Sequence, residues 1–516
     1  MGANLFVIEA PGKRRGLFEA LRRVGVREVA IEATVGHLCA NPESLKPMAI
    51  NSAFQETAYR IRPDREQAAS SIAAAAVNAA RIYLATDDDQ EGDVIARDAY
   101  AFCIPDEHRH KVRRLRLKSL ADSEIIAALK SALPFDPSMA SQGDARRIVD
   151  RLIGGLSSPE GGVGRVQGSL LLALKDQRPV VGVVTHTLAA SDGRGPFIAQ
   201  QPVFGGHDVP DAVELQSGVG VATSARATLA ARPMNHDEIV LTASLRTGAD
   251  IGDISRAMQS LYERGRLSYP RAKDCALSAD SVRRLAQVAR GNGATFRSEL
   301  FRGVRELGGA HAHEAPNPMV LDVPVNRSFD LMTLEEQVLV TITQNLIEAG
   351  IEARLETPRL EGLPAGASGL AWRRLVPVGV RIWEPHPAVA GFQGWTAQQS
   401  LVHFMMKNQL GRPSTLVAHI DKFLTRELVT QAFDLTAKGR DWAANVERHF
   451  GGKNLSAMVE KYIEDSKSAT AEIVDSIVES FGLQSVRALC EDRVDQLEHE
   501  NHEDPAFFPG DVSGGR

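Results

Sequence analysis

Cysteine is scarce in this chain of 516 residues, whose four cysteines are Cys39, Cys103, Cys275 and Cys490. They lie far apart and form no CxxC pair, no zinc-site spacing and no disulfide framework. The sequence therefore excludes a cysteine-ligated zinc module and a small fold that depends on disulfides.

Long hydrophobic runs are also lacking. No stretch approaches the roughly 18–20 apolar residues of a membrane span, which excludes a transmembrane protein. The N-terminus begins with a short apolar run and then turns basic, whereas a secretory signal is basic first and apolar over a longer stretch. We therefore expect a soluble, intracellular protein.

An excess of positive charge is missing as well, since 59 Lys and Arg stand against 65 Asp and Glu, for a net charge of −6. This excludes a wholly basic nucleic-acid coat but not a basic groove on an acidic body. Residues 109–118 are densely basic, and the acidic, weakly apolar segment after Glu491 is expected to be loosely ordered. The length suggests about three or four domains.

Strands and helices alternate over the first 140 or so residues, which predicts an α/β domain with a mostly parallel sheet. The predicted strands are residues 4–8, 29–31 and 82–85, and the predicted helices are residues 13–24, 66–81 and 93–102. Functional groups in such sheets lie at the carboxyl ends of the strands.

Helical and strand-rich segments alternate along the rest of the chain. Helices are predicted at 138–175 (with a Gly-rich break at 154–164), at 236–262, at 278–290 and from 396 to about 490. Antiparallel strands are predicted at 180–232 and 350–395, including 375–383. Two strand-rich blocks around a helical insert suggest a domain that the chain leaves and re-enters.

An acidic cluster follows the strand at 82–85. Asp87, Asp89 and Glu91 alternate there, and such carboxylates suit a hard cation such as Mg²⁺. A solvated acidic loop is the alternative, and on spacing alone the two are about equal. Glu9, at the end of the first strand and followed by Lys13, favours the metal site and suits acid/base chemistry at a phosphate.

Four arginines lie at or near helical spacing after the α/β region: Arg146, Arg147, Arg151 and Arg165. From spacing alone, a solvated helix face explains them better than phosphate contacts do. The glycine run 161–168 does not match G-x-G-x-x-G and follows a helix rather than a strand, so a dinucleotide loop is disfavoured.

Tyr269 precedes Pro270 and Arg271, and a tyrosine in this setting is usually a packing residue. As a nucleophile it would need a neighbouring cation, which Arg271 could supply. His311 and His313 make a poor zinc set, and surface histidines in a loop are the commoner explanation.

Seven segments in order resemble the motifs of type IA DNA topoisomerases, from about residue 4 to about 445. They are Leu5–Lys13 and Ala85–Gly92 of the Toprim domain, Ala145–Gly154 and Gly164–Gln167 of the following helical part, the tyrosine motif Leu261–Arg271, and two later signatures at Ala312–Ala315 and Gly411–Thr415. Any one of these motifs is modest evidence, and their shared order makes coincidence improbable.

The resemblance implies a multidomain fold in which a Toprim domain, helical domains and a β-rich arch form a ring around DNA. It divides the chain into a Toprim α/β domain (1–140), a helical base (141–178 and 396–490), a β-rich arch (179–235 and 348–395), a helical domain with the tyrosine (236–347) and an acidic tail (491–516).

The resemblance also implies roles. Tyr269 would attack single-stranded DNA, with Arg271, Lys13 and His313 stabilising charge and Glu9 acting as the acid. Asp87, Asp89 and Glu91 would hold Mg²⁺, and no nucleotide would be needed. The implied DNA contacts are Arg146, Arg147, Arg151, Arg165, Gln167, Arg412, Ser414 and Thr415. A monomer at the nucleoid or on plasmids in the cytoplasm, with a helicase as a candidate partner, completes the expectation.

Several positions depart from the family pattern: Asp88, Gln90 and Asp93 in the acidic motif, Ala272–Lys273 after the tyrosine motif, and Asn317 after His313–Glu314. Two alternatives therefore stay open. One is a Toprim nuclease or primase, which would have no need of Tyr269. The other is a single-stranded DNA-binding protein of weakened catalysis.

Overall fold

The computed structural model describes residues 2–45, 48–117, 120, 122–157, 163–190, 192, 194–215, 222–301, 313–358, 367–383, 389–482, 486–487 and 490. The predicted acidic tail, His311 and the first part of the glycine run lie outside the described residues. Where helices are described, none is both long and apolar enough to cross a bilayer.

A five-stranded sheet organises the first part of the chain. Its strands are β1 (Asn4–Ile8), β2 (Val29–Ala33), β5 (Arg81–Leu84), β6 (Val112–Arg114) and β7 (Leu133–Pro134), in the order β2-β1-β5-β6-β7. All neighbours are parallel except β6 and β7. The short strands β3 (Cys39–Ala40) and β4 (Arg60–Ile61) pair beside it. The predicted mostly parallel sheet is confirmed.

Helices cover both faces of this sheet and bury two apolar clusters. They are α1 (Lys13–Arg23), α2 (Glu66–Asn78), α3 (Gln90–Asp98) and α4 (Asp122–Ser131). One cluster contains Leu17 and Ile125, and the other contains Ile72 and Val112. The sheet is therefore a rigid platform for the groups at its strand ends.

Two further sheets join distant parts of the chain. In the first, strand β8 (Val180–Leu188) pairs with β9 (Phe197–Phe204), β10 (Glu214–Leu215) and β14 (Gly391–Gly394). In the second, β12 (Glu352–Pro358) lies between β11 (Ala222–Leu229) and β13 (Arg374–Pro377). Strands on both sides of the helical insert therefore share sheets, as a chain that leaves and re-enters a domain requires.

Eleven further helices are described. They are α5 (Ser141–Ser157), α6 (Arg165–Asp176), α7 (His236–Thr247), α8 (Ile251–Glu263), α9 (Ala279–Gly291), α10 (Leu334–Ala349), α11 (Ala397–Lys407), α12 (Leu416–Thr425), α13 (Ala437–Phe450), α14 (Leu455–Asp465) and α15 (Thr470–Phe481). Their apolar faces form one large core that runs from residue 48 to residue 490.

Some predicted boundaries were wrong for local reasons. Helix α5 runs through Gly154, which packs against Leu45 instead of breaking the helix. The helix predicted at 236–262 is two helices, because Gly248 has the left-handed φ of 72° that ends α7. In the predicted strand 375–383, pairing stops at Pro377. The exact domain limits stay a prediction.

Candidate active site

The candidate site lies where two neighbouring strands of the five-stranded sheet end. Glu9 follows β1 directly, and Asp87 comes shortly after β5, which pairs with β1 in parallel. Parallel neighbours present their carboxyl ends at the same edge. The sheet thus brings together two acidic groups that are far apart in sequence.

The acidic motif is wound into the start of α3. Helix α3 begins at Gln90, three residues earlier than predicted, because Asp89 caps it: the Asp89 carboxylate accepts a 2.7 Å hydrogen bond from the Gly92 amide. A Cβ on Gly92 would lie only 2.1 Å from the Asp87 carbonyl oxygen. The turn is therefore tighter than the alternation expected of an extended segment.

Tyr269 is docked onto this acidic turn. Its hydroxyl donates a hydrogen bond to Asp89, and its ring stacks on that of His313 with centroids 4.1 Å apart. The His313 Nε2–H donates to the Asp88 carbonyl at 2.6 Å. Burial, followed by the charge of Asp89, raises the pKa of Tyr269, so the phenol is neutral in this arrangement.

Lys13 joins the acidic turn to the tyrosine segment. At the start of α1, its ammonium pairs with Asp87 and lies 4.1 Å from the ring centre of Tyr262. Tyr262 in turn meets the Tyr269 ring edge-on, with centroids 5.6 Å apart. Burial is the largest single influence and lowers the pKa of Lys13, but Asp87, Tyr262 and Glu9 together outweigh it, so the net direction is upward and Lys13 is cationic.

Glu9 is set up to hold a proton near neutral pH. Burial raises its pKa most, the charge of Asp87 adds to this, and Lys13 opposes both, which brings the pKa of Glu9 to about 7. The positive charge of Arg271 also lowers the pKa of Glu9. A carboxyl group with this pKa suits general acid/base work.

The three predicted metal ligands do not converge. No group of three His, Cys, Asp or Glu side chains within the described ranges has the geometry of a metal site. Asp87 pairs with Lys13, while Glu91 pairs with His37 at 3.1 Å and with Arg412 at 3.4 Å. The charges of Asp87 and Asp89 both raise the pKa of Tyr269. Because Mg²⁺ is usually bound by one or two carboxylates plus substrate phosphates, these two residues fit such an ion beside the tyrosine.

Arg412 closes the site from a distant segment. Its Nη2 donates to the Gln90 side chain at 3.0 Å, and its Nε lies 3.7 Å from Glu460. Ser414 lines the cleft in which Tyr269 lies. Thr415 is exposed, and its hydroxyl donates to the Arg412 carbonyl at 3.4 Å.

The arginines of α5 and α6 are not a solvated face, which corrects one expectation. Arg146 and Arg165 are buried and both bind Glu460, at 3.0 and 3.1 Å. Arg147 pairs with Glu56 at 2.5 Å. These guanidinium groups neutralise acids within the protein, so direct DNA contact by them has little support here.

Two more predicted DNA contacts are turned inward. Arg151 donates to backbone carbonyls, including that of Pro42 at 2.8 Å. Gln167 is buried and accepts a hydrogen bond from Arg426. Both residues hold segments of the fold together, so their role as DNA contacts stays a prediction without structural support.

A cleft of about 630 Å³ lies in front of Tyr269. Its lining residues outside the motifs include Arg116, Gln142, Lys273, Glu464, Ser466, Lys467 and Ser468. Arg116 was missed by sequence reasoning, although it belongs to the basic stretch 109–118. It pairs with Asp88 and, at 3.1 Å, with Asp93, which are two positions that depart from the family pattern.

Comparison with known proteins gives consistent matches. The Toprim domain model matches residues 4–120. A reverse gyrase 2 of Aeropyrum pernix is 29% identical over 273 residues (50% of this chain, 21% of the relative). A mimivirus protein named DNA topoisomerase 1 type prokaryotic is 23% identical over 360 residues (61% and 41%), and a plasmid DNA topoisomerase I of Xylella fastidiosa is 25% identical over 311 residues (54% and 45%).

The fold matches that of a solved structure. Full-length topoisomerase I from Thermotoga maritima superimposes with a TM-score of 0.62 at 17% identity, covering 93% of this chain and 89% of that one. Each of the three relatives above is matched over less than half of its own length. The Toprim domain, these relatives and this multidomain fold together support a type IA DNA topoisomerase.

Proposed function

We propose that the protein is an ATP-independent DNA topoisomerase that cuts one strand through Tyr269, passes another strand through the gap and reseals it. Its substrate would be single-stranded segments of underwound duplex, so that it relaxes negatively supercoiled DNA, and the same chemistry would serve decatenation. The docking of the Tyr269 hydroxyl on Asp89, beside Arg271 and within the cleft, is the observation that carries the proposal.

The proposed reaction balances with Tyr269, Asp89 and Glu9. The Tyr269 hydroxyl gives its proton to Asp89, which already accepts its hydrogen bond, and the Tyr269 oxygen forms a bond to the phosphorus. The bond to the 3′ oxygen breaks, and the departing 3′ oxygen takes a proton from Glu9. Resealing reverses each of these steps. No nucleotide is consumed, because the 5′-phosphotyrosine bond conserves the energy of the phosphodiester.

Charge on the phosphate oxygens must be stabilised as the reaction proceeds. Arg271 and Arg412 line the same cleft as Tyr269, and Lys13 forms an ion pair with Asp87. Asp87 and Asp89 are the residues that would hold Mg²⁺, which would supply further neutralisation of the phosphate and help to keep the cut ends in place.

Location and assembly follow from the resemblance to type IA DNA topoisomerases. We infer a monomer that acts in the cytoplasm on nucleoid or plasmid DNA, with a helicase as the partner that would supply unpaired strands. Contacts between basic side chains and DNA phosphates would make DNA binding weaken as the salt concentration rises.

The decisive experiment is relaxation of negatively supercoiled plasmid by the wild-type protein and by Tyr269→Phe, with and without Mg²⁺. We expect stepwise, Mg²⁺-dependent relaxation by the wild type and none by Tyr269→Phe. Tyr462→Phe is the matched control, because that tyrosine is exposed and its hydroxyl contacts only Ser480 among the described residues.

The outcomes separate the alternatives. Metal-dependent cutting that persists in Tyr269→Phe would identify a Toprim nuclease instead. Intact binding of single strands without relaxation by the wild type would favour the binding protein, with Gln90, Lys273 and Asn317 as the departures to restore first.

A further inference from the structure

A second cavity lies where the tyrosine-bearing helices join the β-rich part. The chain enters this helical region between Leu229 and His236 and leaves it between Ala349 and Glu352. A cavity of about 540 Å³ is bounded there by α7, α10, the loop at 325–329 and the segment 382–383. Neither Tyr269 nor any acidic-motif residue lines it.

The walls of this junction cavity are partly aromatic. Phe329 and Trp383 line it, together with the aliphatic side chains of Val325 and Ile382. The guanidinium of Arg246 lies 4.6 Å from the centre of the Phe329 ring. Flat aromatic and guanidinium surfaces of this kind stack on planar rings.

Two lining residues carry buried polar atoms that the described residues leave unsatisfied. Arg246 donates from Nη2 to Gln344 at 3.0 Å, but its Nε–H has no acceptor in the described part of the chain. Asn345 donates from Nδ2 to the Arg232 carbonyl at 3.0 Å, but its Oδ1 has no donor there. Buried polar atoms are normally paired, so each unpaired one calls for an explanation.

We propose that the junction cavity binds a nucleobase stacked on its aromatic walls, and that Arg246 and Asn345 turn so that Nε and Oδ1, which are buried in this structure, meet the edge of the base. A base offers a flat ring together with donors and acceptors along one edge, which are the groups that these walls and atoms lack. The volume lies within the range of small-ligand pockets and accommodates a nucleoside. Stacking on aromatic side chains is the common sequence-tolerant mode of binding unpaired bases.

The base has two chemical sources, an unpaired DNA strand or a free nucleotide. Only the strand source rests on the proposed function, since a free nucleotide would bind whether or not the protein cuts DNA. A binding measurement therefore tests the cavity separately from catalysis.

The test uses Tyr269→Phe protein without Mg²⁺, so that no cutting occurs. dAMP and an eight-residue oligo-dA are titrated while tryptophan fluorescence is recorded, and the same titration of protein that also carries Trp383→Phe isolates the signal of Trp383 among the chain's 4 tryptophans. We expect saturable quenching that disappears with Trp383→Phe.

Two further variants test the edge contacts. Asn345→Leu and Arg246→Met, each in the Tyr269→Phe background, should weaken binding about tenfold, as the loss of a hydrogen bond to a ligand predicts. Arg256→Met, at an exposed arginine that pairs with Asp253, should leave the dissociation constant unchanged. Thermal unfolding of each variant establishes that it is folded before binding is compared.

Each outcome decides the proposal. Quenching by dAMP as well as oligo-dA supports the site with a free nucleotide as a source, and quenching by oligo-dA alone supports it with a strand as the source. The proposal is overturned if no quenching depends on Trp383. It is also overturned if Asn345→Leu and Arg246→Met bind as tightly as the Tyr269→Phe background does. Relaxation activity of the wild-type protein is not part of this readout.

Discussion

The proton of the Tyr269 hydroxyl has a definite acceptor in this structure. Asp89 receives it in a hydrogen bond, and burial of the phenol keeps it neutral. An attacking oxygen has to lose that proton, so the residue that holds the hydroxyl in place is also the residue beside which it is released. Asp89 is consequently a positioning group for the nucleophile as well as a candidate metal ligand.

Glu9 is expected to matter for cleavage more than for folding. Glu9→Gln removes the proposed acid but keeps the size of the side chain, so formation of the covalent complex should slow by about 10²–10⁴-fold. Single-turnover cleavage of a 5′-labelled oligonucleotide measures this rate. Glu32→Gln is the control, since Glu32 pairs with Arg14 away from the cleft, and equal rates in the two variants would remove Glu9 from the mechanism.

His236 is expected to make stability pH-dependent. Its Nδ1–H donates to the Pro270 carbonyl next to Tyr269, and burial lowers the pKa of His236 from 6.5 to about 4. Below pH 6.5 His236 binds a proton in the unfolded chain but stays neutral in the folded chain. The contribution of His236 to the free energy of unfolding is therefore fully present above pH 6.5 and is lost as the pH falls toward 4. At pH 5 the loss is about 2 kcal/mol.

The measurement is the free energy of unfolding of wild type and His236→Gln at pH 7.5 and pH 5. The difference between the free energies of unfolding at the two pH values should be smaller in His236→Gln than in the wild type. His110→Gln, at an exposed histidine, should behave as the wild type does. An unchanged pH dependence in His236→Gln would show that His236 is not the group responsible.

At the scale of single residues, the sequence predicts the chemical groups better than their partners. The motifs identify Glu9, Tyr269 and Arg412, because each lies in a short local pattern. They do not predict that Arg116 pairs with Asp88, since that contact depends on which strands become neighbours. Pairing across the sheet is settled by tertiary packing, which a local pattern does not record.

Among the elements, the first turn of α3 carries the most consequence. It places Asp89 as the helix cap and directs Glu91 toward His37 and Arg412. An extended acidic segment would have put alternate carboxylates on one side, whereas a helical turn separates them. The capping residue and the acidic first turn are a recognised sequence signal for a helix start, so this boundary was predictable in principle.

Gly92→Ala should disturb this turn. The new Cβ would clash with the Asp87 carbonyl at 2.1 Å, and backbone cannot give way as a flexible side chain can. We expect a loss of about 1–3 kcal/mol in the free energy of unfolding, typical of overpacking, together with loss of relaxation activity.

Urea unfolding and plasmid relaxation check both parts of this prediction. The matched control is Gly291→Ala at the end of α9, where nothing lies within 4 Å of a new Cβ. That variant should be as stable as the wild type or slightly more so. Equal stability of the two alanine variants would contradict the close approach at Gly92.

In the whole molecule, Glu460 links segments that are widely separated in sequence. From α14 it binds Arg146 of α5 and Arg165 of α6, and it lies near Arg412. Burial is the largest single influence and would raise the pKa of Glu460, but these cations together lower it to about 2. The cluster ties the early and late helical parts of the chain to one buried charge.

Glu460→Gln should therefore destabilise the molecule by about 3–5 kcal/mol, because it leaves buried cations without their shared counter-charge. Urea unfolding of the variant measures this. Glu447→Gln, which breaks the exposed pair with Lys175, should change the free energy of unfolding far less, because water screens that pair. Similar values for both would mean that the buried cluster contributes no more than a surface pair.

The multidomain fold could be predicted from the order of secondary-structure classes along the chain, namely α/β, helical, strand-rich, helical, strand-rich and helical. The inward orientation of the α5 and α6 arginines did not. Helical spacing alone cannot tell a solvated face from one covered by α14, which lies some 300 residues further along the chain. Their burial leaves Arg116, Arg271, Lys273, Arg412 and Lys467 as the cations that border the cleft.

The cleft is built from segments that leave the ribosome at very different times. The acidic turn at 87–91 is made first, Tyr269 much later, and Arg412 and Lys467 later still. An unfinished chain thus carries the nucleophile before the rest of its surroundings exists. Under the proposed function, a prematurely terminated chain that stops before residue 412 would carry Tyr269 without two of the cations that line its cleft.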